Sequence, residues 1–535
     1  MSNARTLTPT GRRIAWRFLL QVPPSSTFDK VVLLGADSEL VDAFIATGMA
    51  RVVTTTAGDG DADLVAVCSP VVARPNNVVK AAREGGLIYV EVDRRRSDTR
   101  LTTPRRLAAD LGAAGATVTA QYALRPAPER CELYVPLDRS GALAWFLSSE
   151  YIASSPLKCA AETVLRWAAG SDAARLGALA PFHATVAVAG PTARSWSEPD
   201  RPARSMAMIV HGGQRVVQIE FSERSSGSPQ FVTKVPTLAS AGQRTRQEHA
   251  MVTRIRDALG APDDDTLPNP RELLESTAGP IMVEEGAPGR SLAHSCGRWG
   301  RSSREKVEDL RLATSWLIGL HREHAIRQGL WDDERRAESV ERPLAAFASR
   351  FGTTDGEVEL FDAARRAATD LVGLPLPVVW EHGDFTIWNV FRSGDHLQVL
   401  DWEYSRIGVP VADMIRMATH WHEAVRGLEA PAERWKGFAD LFTGPATHPA
   451  TKEALAAVRR YEQALDIDTR FRSVFLVMSR VELSVRRFEH LVESGIIIDG
   501  DDVRAGNAAL GYLSALVERR ADLFPTPPRA AGVIR

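Results

Sequence analysis

The sequence predicts a doubly wound α/β domain followed by an α+β domain with a small β-rich lobe and a larger helical lobe. Three observations lead there. In the first part, short apolar runs alternate with amphipathic stretches, the pattern of a mostly parallel sheet covered by helices. A break rich in Pro, Ser and Arg, PTARSWSEPDRPAR, then follows Gly190. Beyond it strands cluster first, and from about Ser303 the periodicity is helical.

The elements follow in order. VVLLGA at 31–36 reads as a buried strand, and the amphipathic stretch 39–47 as its helix. RVVTTT from Arg51, DLVAVCS from Asp63 and LIYVEVD at 87–93 are further strands, with VVKAARE helical between the last two. Residues 107–114 read as a helix and TVTAQYAL at 117–124 as a strand. After the break come SMAMIV (205–210), RVVQIEF (215–221) and QFVTKV (230–235), a helix over 244–259, and the strand PIMVEE (280–285). In FRSVFLVMSRVELSVRRF, Phe471, Val474, Phe475, Met478, Val481, Val485 and Phe488 fall at the three-and-four spacing of one helix face. The expected domains are therefore 1–190, a linker at 191–204, a small lobe at 205–290 and a helical lobe at 291–535.

Composition bounds the function. The 535 residues allow roughly two to four domains. With 44% hydrophobic and 25% charged residues, the chain has the profile of a folded soluble protein. Lys plus Arg (65) against Asp plus Glu (67) leaves a net charge of −2, so no global field favours nucleic acid or an anionic membrane. No apolar run is long enough for a membrane helix or a signal-peptide core, so a cytoplasmic protein without membrane insertion is expected. Cys68, Cys131, Cys159 and Cys296 lie far apart with no CxxC pair, which argues against a zinc knuckle or a disulfide framework.

The segment richest in chemistry is VVWEHGDFTIWNVFRSGDHLQVLDWEYSRIGVPVAD, at 378–413. Within it, VFRSGDHLQVLDWE reads as a hairpin turning at Ser393-Gly394-Asp395. A hairpin makes its ends neighbours, so Asn389 and Asp401 meet. One amide oxygen beside one carboxylate suits a hard, oxygen-seeking Mg²⁺ ion. Asp384, five residues before Asn389, is placed to accept or orient the proton of an attacking hydroxyl.

HGD-xxxx-N followed by D-W-E resembles the aminoglycoside phosphotransferase and choline kinase family, which has a protein-kinase-like fold. The resemblance covers roughly 206–523. It implies Asp384 as catalytic base, Asn389 and Asp401 as Mg²⁺ ligands, and His382 and Asp413 as supports of the loop. It also implies a phosphate-binding Lys on a strand paired with a Glu on the next helix, which Lys234 and Glu248 supply, fourteen residues apart. Gly212 and Gly213, in HGGQ, stand where a turn covers the phosphates, with SERSSGSPQ (222–230) as a rival loop. Backbone groups around Glu284 and Glu285 are implied to bind adenine. SWLIGLHREH resembles a helix below the site, and a metal site at His321 and His324 is weakly motivated by their spacing. No G-xxxx-GK[S/T] is present, so a P-loop ATPase is not supported.

The resemblance thus implies an ATP- and Mg²⁺-dependent transfer to a hydroxyl of a small molecule: a sugar, amino sugar, aminoglycoside or amino alcohol. Glu403, Arg406 and residues 419–423 are near the site by chain proximity.

The first domain resembles a class I methyltransferase in its order of elements only. The glycine-rich loop is reduced to Gly35, and Thr54, Thr55 and Thr56 stand where a ribose-binding carboxylate belongs, with Asp59 as a displaced substitute. A degenerate domain that supports the kinase, binds a protein partner or shapes substrate access is expected. The alternatives are a silent pseudokinase joined to a pseudo-methyltransferase, and a bifunctional methyltransferase–kinase.

Overall fold

In the computed structural model the described residues are 14–525, apart from 21–26, 59, 69–73, 97–101, 129–130, 138–139, 150–151, 178–179, 191–204, 212–213, 222–227, 261–264, 277–278, 494–502 and 505–506. The expected linker at 191–204, the turn glycines Gly212 and Gly213, most of the rival loop at 222–230 and Asp59 lie outside the described residues. Two compact units are present. One holds residues up to 249 together with 268–288, the other residues 250–267 and those from 289 on.

The apolar runs of the first unit become strands. β1 (Phe28–Leu34), β2 (Ala50–Thr54), β3 (Ala62–Val67) and β4 (Ala82–Asp93) are parallel in the order β2-β1-β3-β4. β3 is buried along its whole length because both faces of the sheet are covered, which is why its sequence does not alternate. On one face Leu40 and Phe44, from the helix Ser38–Ala46, join Trp16, whose ring stacks on Phe44 and Tyr89 with centroids 5.8 and 4.5 Å away. On the other, Val78 and Ala81 of Pro75–Ala81 and Leu107 and Leu111 of Pro104–Ala113 form a second apolar layer. The first and third of these helices start on side-chain caps: Asp37 accepts from the Leu40 N–H and Thr103 from the Arg106 N–H.

The sheet continues. β5 (Ala116–Arg125), β6 (Leu133–Pro136) and β7 (Phe182–Ala189) are antiparallel additions, with β7 between β4 and β5. Beyond residues 191–204, β8 (Ser205–His211), β9 (Arg215–Phe221), β10 (Phe231–Pro236), β11 (Pro270–Leu274) and β12 (Ile281–Glu285) form an antiparallel group. β6 pairs with β8 through Leu133↔Ile209 and Tyr134↔Met208, so all twelve strands belong to one sheet. The turn Ala15–Leu20 is tied to this second group as well, because the Gln218 amide donates to the Phe18 carbonyl at 3.0 Å.

The second unit is built on helices, among them Ser303–Glu323, Asp355–Asp370, Val411–Arg426, Pro449–Ala464 and Arg470–Glu493. Ser302 with Glu305, and Thr354 with Glu357, form reciprocal capping boxes. The stripe read from the sequence at Phe471, Val474, Phe475, Met478 and Val481 is buried, in one core with Trp331, Trp402, Trp421 and Tyr461. Two small sheets lie in this unit, β13 (Arg290–Ser291) with β15 (Val390–Ser393) and β16 (His396–Val399), and β14 (Val379–Glu381) with β17 (Arg406–Gly408). Among the described residues no helix is long and apolar enough to cross a membrane. Cys68, Cys131 and Cys296 are buried; Cys159 is only partly so.

Candidate active site

The loop 382–389 leaves β14 and enters β15, and its shape is set by groups on both sides. Asp413, in the first turn of Val411–Arg426, accepts from the His382 N–H at 2.7 Å and from the Gly383 N–H at 3.0 Å. The His382 ring accepts the Asp384 N–H at Nδ1 (3.2 Å), so Nε2 carries the proton and donates to the Leu400 carbonyl at 2.9 Å. Gly383 has φ +79°, and a Cβ there would run into the Tyr404 carbonyl, so only glycine fits. Its own carbonyl accepts from Arg486 Nη1 at 2.8 Å, and that guanidinium lies 4.3 Å from the centre of the Tyr404 ring.

The hairpin read from the sequence is present. β15 and β16 pair from Val390↔Val399 to Ser393↔His396, and Gly394 takes φ +64° at the turn. The Leu400 N–H donates to the Asn389 carbonyl at 2.8 Å, which extends the ladder to the residue before Asp401. The Asn389 amide nitrogen donates to the Asp384 carbonyl at 2.9 Å and to its carboxylate at 3.0 Å. With that nitrogen committed, the amide oxygen is what Asn389 can offer a cation. Asp401 has φ +65°; with Asp466 it is one of two non-glycine residues at positive φ among the described residues. Such strain costs about 1–3 kcal/mol and gathers where function needs it. Burial pushes the Asp384 carboxyl above the usual carboxylate range; Arg416 and His382 oppose this and Asp401 adds to it.

The Asn389 amide oxygen and the Asp401 carboxylate are both hard oxygen donors, the type that a magnesium-like ion takes beside water and phosphate. Among the described residues no group of three or more His, Cys, Asp or Glu is arranged to hold a metal by itself.

A set of buried and half-buried charges surrounds the loop. Glu381 is buried and pairs with Arg406 at 2.8 Å, which also reaches Glu482 at 2.9 Å. Arg416, equally buried, lies 3.4 Å from Asp413 and 3.7 Å from Glu381. Arg406, an acceptor-binding candidate by chain proximity, is thus committed to two carboxylates. Thr419, His422 and Glu423 lie in helix packing: Thr419 bonds the Ile415 carbonyl, His422 meets Thr451, and Glu423 accepts from Tyr512. His321 uses both ring nitrogens, on the Trp380 carbonyl at 3.0 Å and the Tyr461 hydroxyl at 2.7 Å. Burial holds it neutral, pushed down to about 4, and the metal site weighed for His321 and His324 has no nitrogen of His321 to use.

In the first unit, Lys234 and Glu248 meet inside the protein. Lys234 sits on β10 between Val217 of β9 and Met282 of β12, and its ammonium is 2.5 Å from the Glu248 carboxylate on the helix Ala239–Leu259. Arg215 approaches the same carboxylate at 3.7 Å. Glu284, whose backbone alone was expected to matter, places its carboxylate 3.2 Å from Lys234. Glu285 pairs with Arg271 and Asn269, and its backbone N–H bonds the Asn269 carbonyl at 3.1 Å.

No curated protein matches this sequence. Among solved structures the chain is similar to a choline/ethanolamine kinase family protein from Mesorhizobium loti, at 17% identity over 62% of this chain and 92% of that one, with a TM-score of 0.34. It is also similar to choline kinase LicA from Streptococcus pneumoniae (14%, 56% and 90%, TM-score 0.36). A third similar structure is macrolide 2'-phosphotransferase MphH from Brachybacterium faecium (16%, 60% and 92%, TM-score 0.35). Residues 212–447, which include the loop of Asp384 and its brace Asp413, match the profile of the phosphotransferase enzyme family.

Proposed function

We propose that the chain transfers the γ-phosphoryl group of ATP to a hydroxyl of a small molecule such as a sugar, amino sugar, aminoglycoside or amino alcohol. The observation that carries this reading is the interlock of Asp384, Asn389 and the hairpin end at Asp401. The family match over 212–447 supports it.

In the proposed reaction the acceptor oxygen attacks the γ-phosphorus, the bond to the β,γ-bridging oxygen breaks, and ADP leaves. The hydroxyl proton passes to the Asp384 carboxylate, which the Asn389 amide holds in place. Lys234, oriented by Glu248, binds the phosphates. Asn389 and Asp401 would hold Mg²⁺, which would neutralise charge on the phosphates. The pinned loop aligns the acceptor, so most of the rate gain comes from positioning.

The first strands act as a non-methylating support of the phosphate-binding strands. The pairing of β6 with β8 supports this role.

The test is ADP release across a panel of sugars, amino sugars, aminoglycosides and amino alcohols with ATP and Mg²⁺. The expected result is acceptor-dependent ADP formation matched mole for mole by phosphorylated product. Nucleotide binding without ADP release from any member of the panel would favour a silent scaffold instead.

A further inference from the structure

Lys234 faces two buried carboxylates where the phosphate-binding role needs one. Glu248 takes its ammonium at 2.5 Å, and Glu284 stands 3.2 Å away. All three side chains are withdrawn from solvent, with Lys234 at 5%, Glu284 at 3% and Glu248 at 0% exposure.

The second contact follows from register. Lys234 pairs with Met282, and side chains alternate along a strand, so Met282 and Glu284 lie on the face that Lys234 occupies. Across β9, Lys234 opposes Val217, which puts Arg215 on that face too, 3.7 Å from Glu248. Among the described residues, Glu284 of β12 and Glu248 of the helix Ala239–Leu259 face Lys234, and Arg215 of β9 stands against Glu248 beside them.

We propose that Glu284 is a positioning residue that shares Lys234 with Glu248 and loosens the hold of Lys234 on nucleotide phosphates, so that ADP can leave. The inference rests on the phosphotransferase reading, in which Lys234 binds phosphate. A carboxylate at Lys234 repels the phosphates as it attracts the ammonium. A buried carboxylate acts across a site poorly screened by water. Glu248 enters from the helix and orients the lysine. Glu284 enters from the neighbouring strand and competes for it.

The experiment is calorimetric titration of Mg·ADP and of the non-hydrolysable analogue Mg·AMP-PNP into the full-length protein and its variants. Glu284→Gln keeps the shape and removes the charge, and should bind ADP about five- to tenfold more tightly. Glu284→Asp draws the carboxylate back by one methylene and should tighten ADP by about two- to threefold, a readout that stands even if the glutamine variant does not fold. In a Lys234→Met background, the tightening by Glu284→Gln should disappear. A merely structural Glu284 would lower thermal stability in either variant and tighten neither nucleotide. Unchanged or weaker ADP binding by both variants, with normal binding by the wild type, overturns the inference and leaves the phosphotransferase reading standing. A wild type that binds neither nucleotide overturns that reading, and the inference with it.

Discussion

Asp384→Asn should lower turnover by about two to four orders of magnitude while nucleotide affinity changes little. The substitution is close to isosteric. An asparagine at 384 still presents a side-chain oxygen to the Asn389 amide and a backbone N–H to the His382 ring, so the two bonds that shape the loop survive. What is lost is the carboxylate to which the proposed reaction assigns the hydroxyl proton. Steady-state ADP formation with an acceptor found in the panel checks this, beside calorimetry with Mg·AMP-PNP. Wild-type turnover by the variant would remove Asp384 from its assigned role.

Asp413→Ala should cost about 3–5 kcal/mol of stability and abolish most activity. Asp413 accepts two backbone N–H groups, those of His382 and Gly383, and lies 3.4 Å from the buried Arg416. Alanine leaves both N–H groups and the guanidinium without that carboxylate in a place water does not reach. For a unit of this size the loss corresponds to a melting temperature lower by on the order of 10 °C. Calorimetric melting with a turnover assay measures both effects. A variant that melts like the wild type would show that the loop is held by other contacts, Arg486 on the Gly383 carbonyl being the first to test.

The difference between what the sequence disclosed and what it hid is physical. His382, Asp384, Asn389, Asp401 and Asp413 fall within a short span whose hairpin turn, at Ser393-Gly394-Asp395, can be read from local chemistry. The contact of Lys234 with Glu248 was anticipated only through the family resemblance, which implies a Lys on a strand and a Glu on the helix that follows. The pairings of the charges that set the shape of the loop were not legible. Arg406 and Arg416 meet Glu381 through a two-stranded sheet and a helix packed behind it, and Arg486 reaches Gly383 from 103 residues away. An arginine on an otherwise apolar helix looks solvated until its partner is known.

The contact of the Glu284 side chain with Lys234 was hidden for another reason. A strand pattern shows alternation, yet which neighbour a side chain meets depends on pairing register, and a slip of one residue would have turned Glu284 to the opposite face. β6 has only four residues and no periodicity to announce it, so the junction that joins β6 to β8 was invisible as well. The helix Pro156–Gly177 also escaped notice. It carries no clean apolar stripe, and Leu157, Val164 and Trp167 on it are exposed.

The central claim is that Asn389 and Asp401 hold a divalent cation beside the nucleotide at the loop of Asp384. Its most direct test is Mn²⁺ binding followed by electron paramagnetic resonance, with and without AMP-PNP, in the wild type and in Asp401→Ala. The wild type should bind Mn²⁺ tightly only with the nucleotide present, and Asp401→Ala should weaken that binding on the order of a hundredfold. Equal nucleotide-dependent Mn²⁺ affinity in the two proteins would contradict the account.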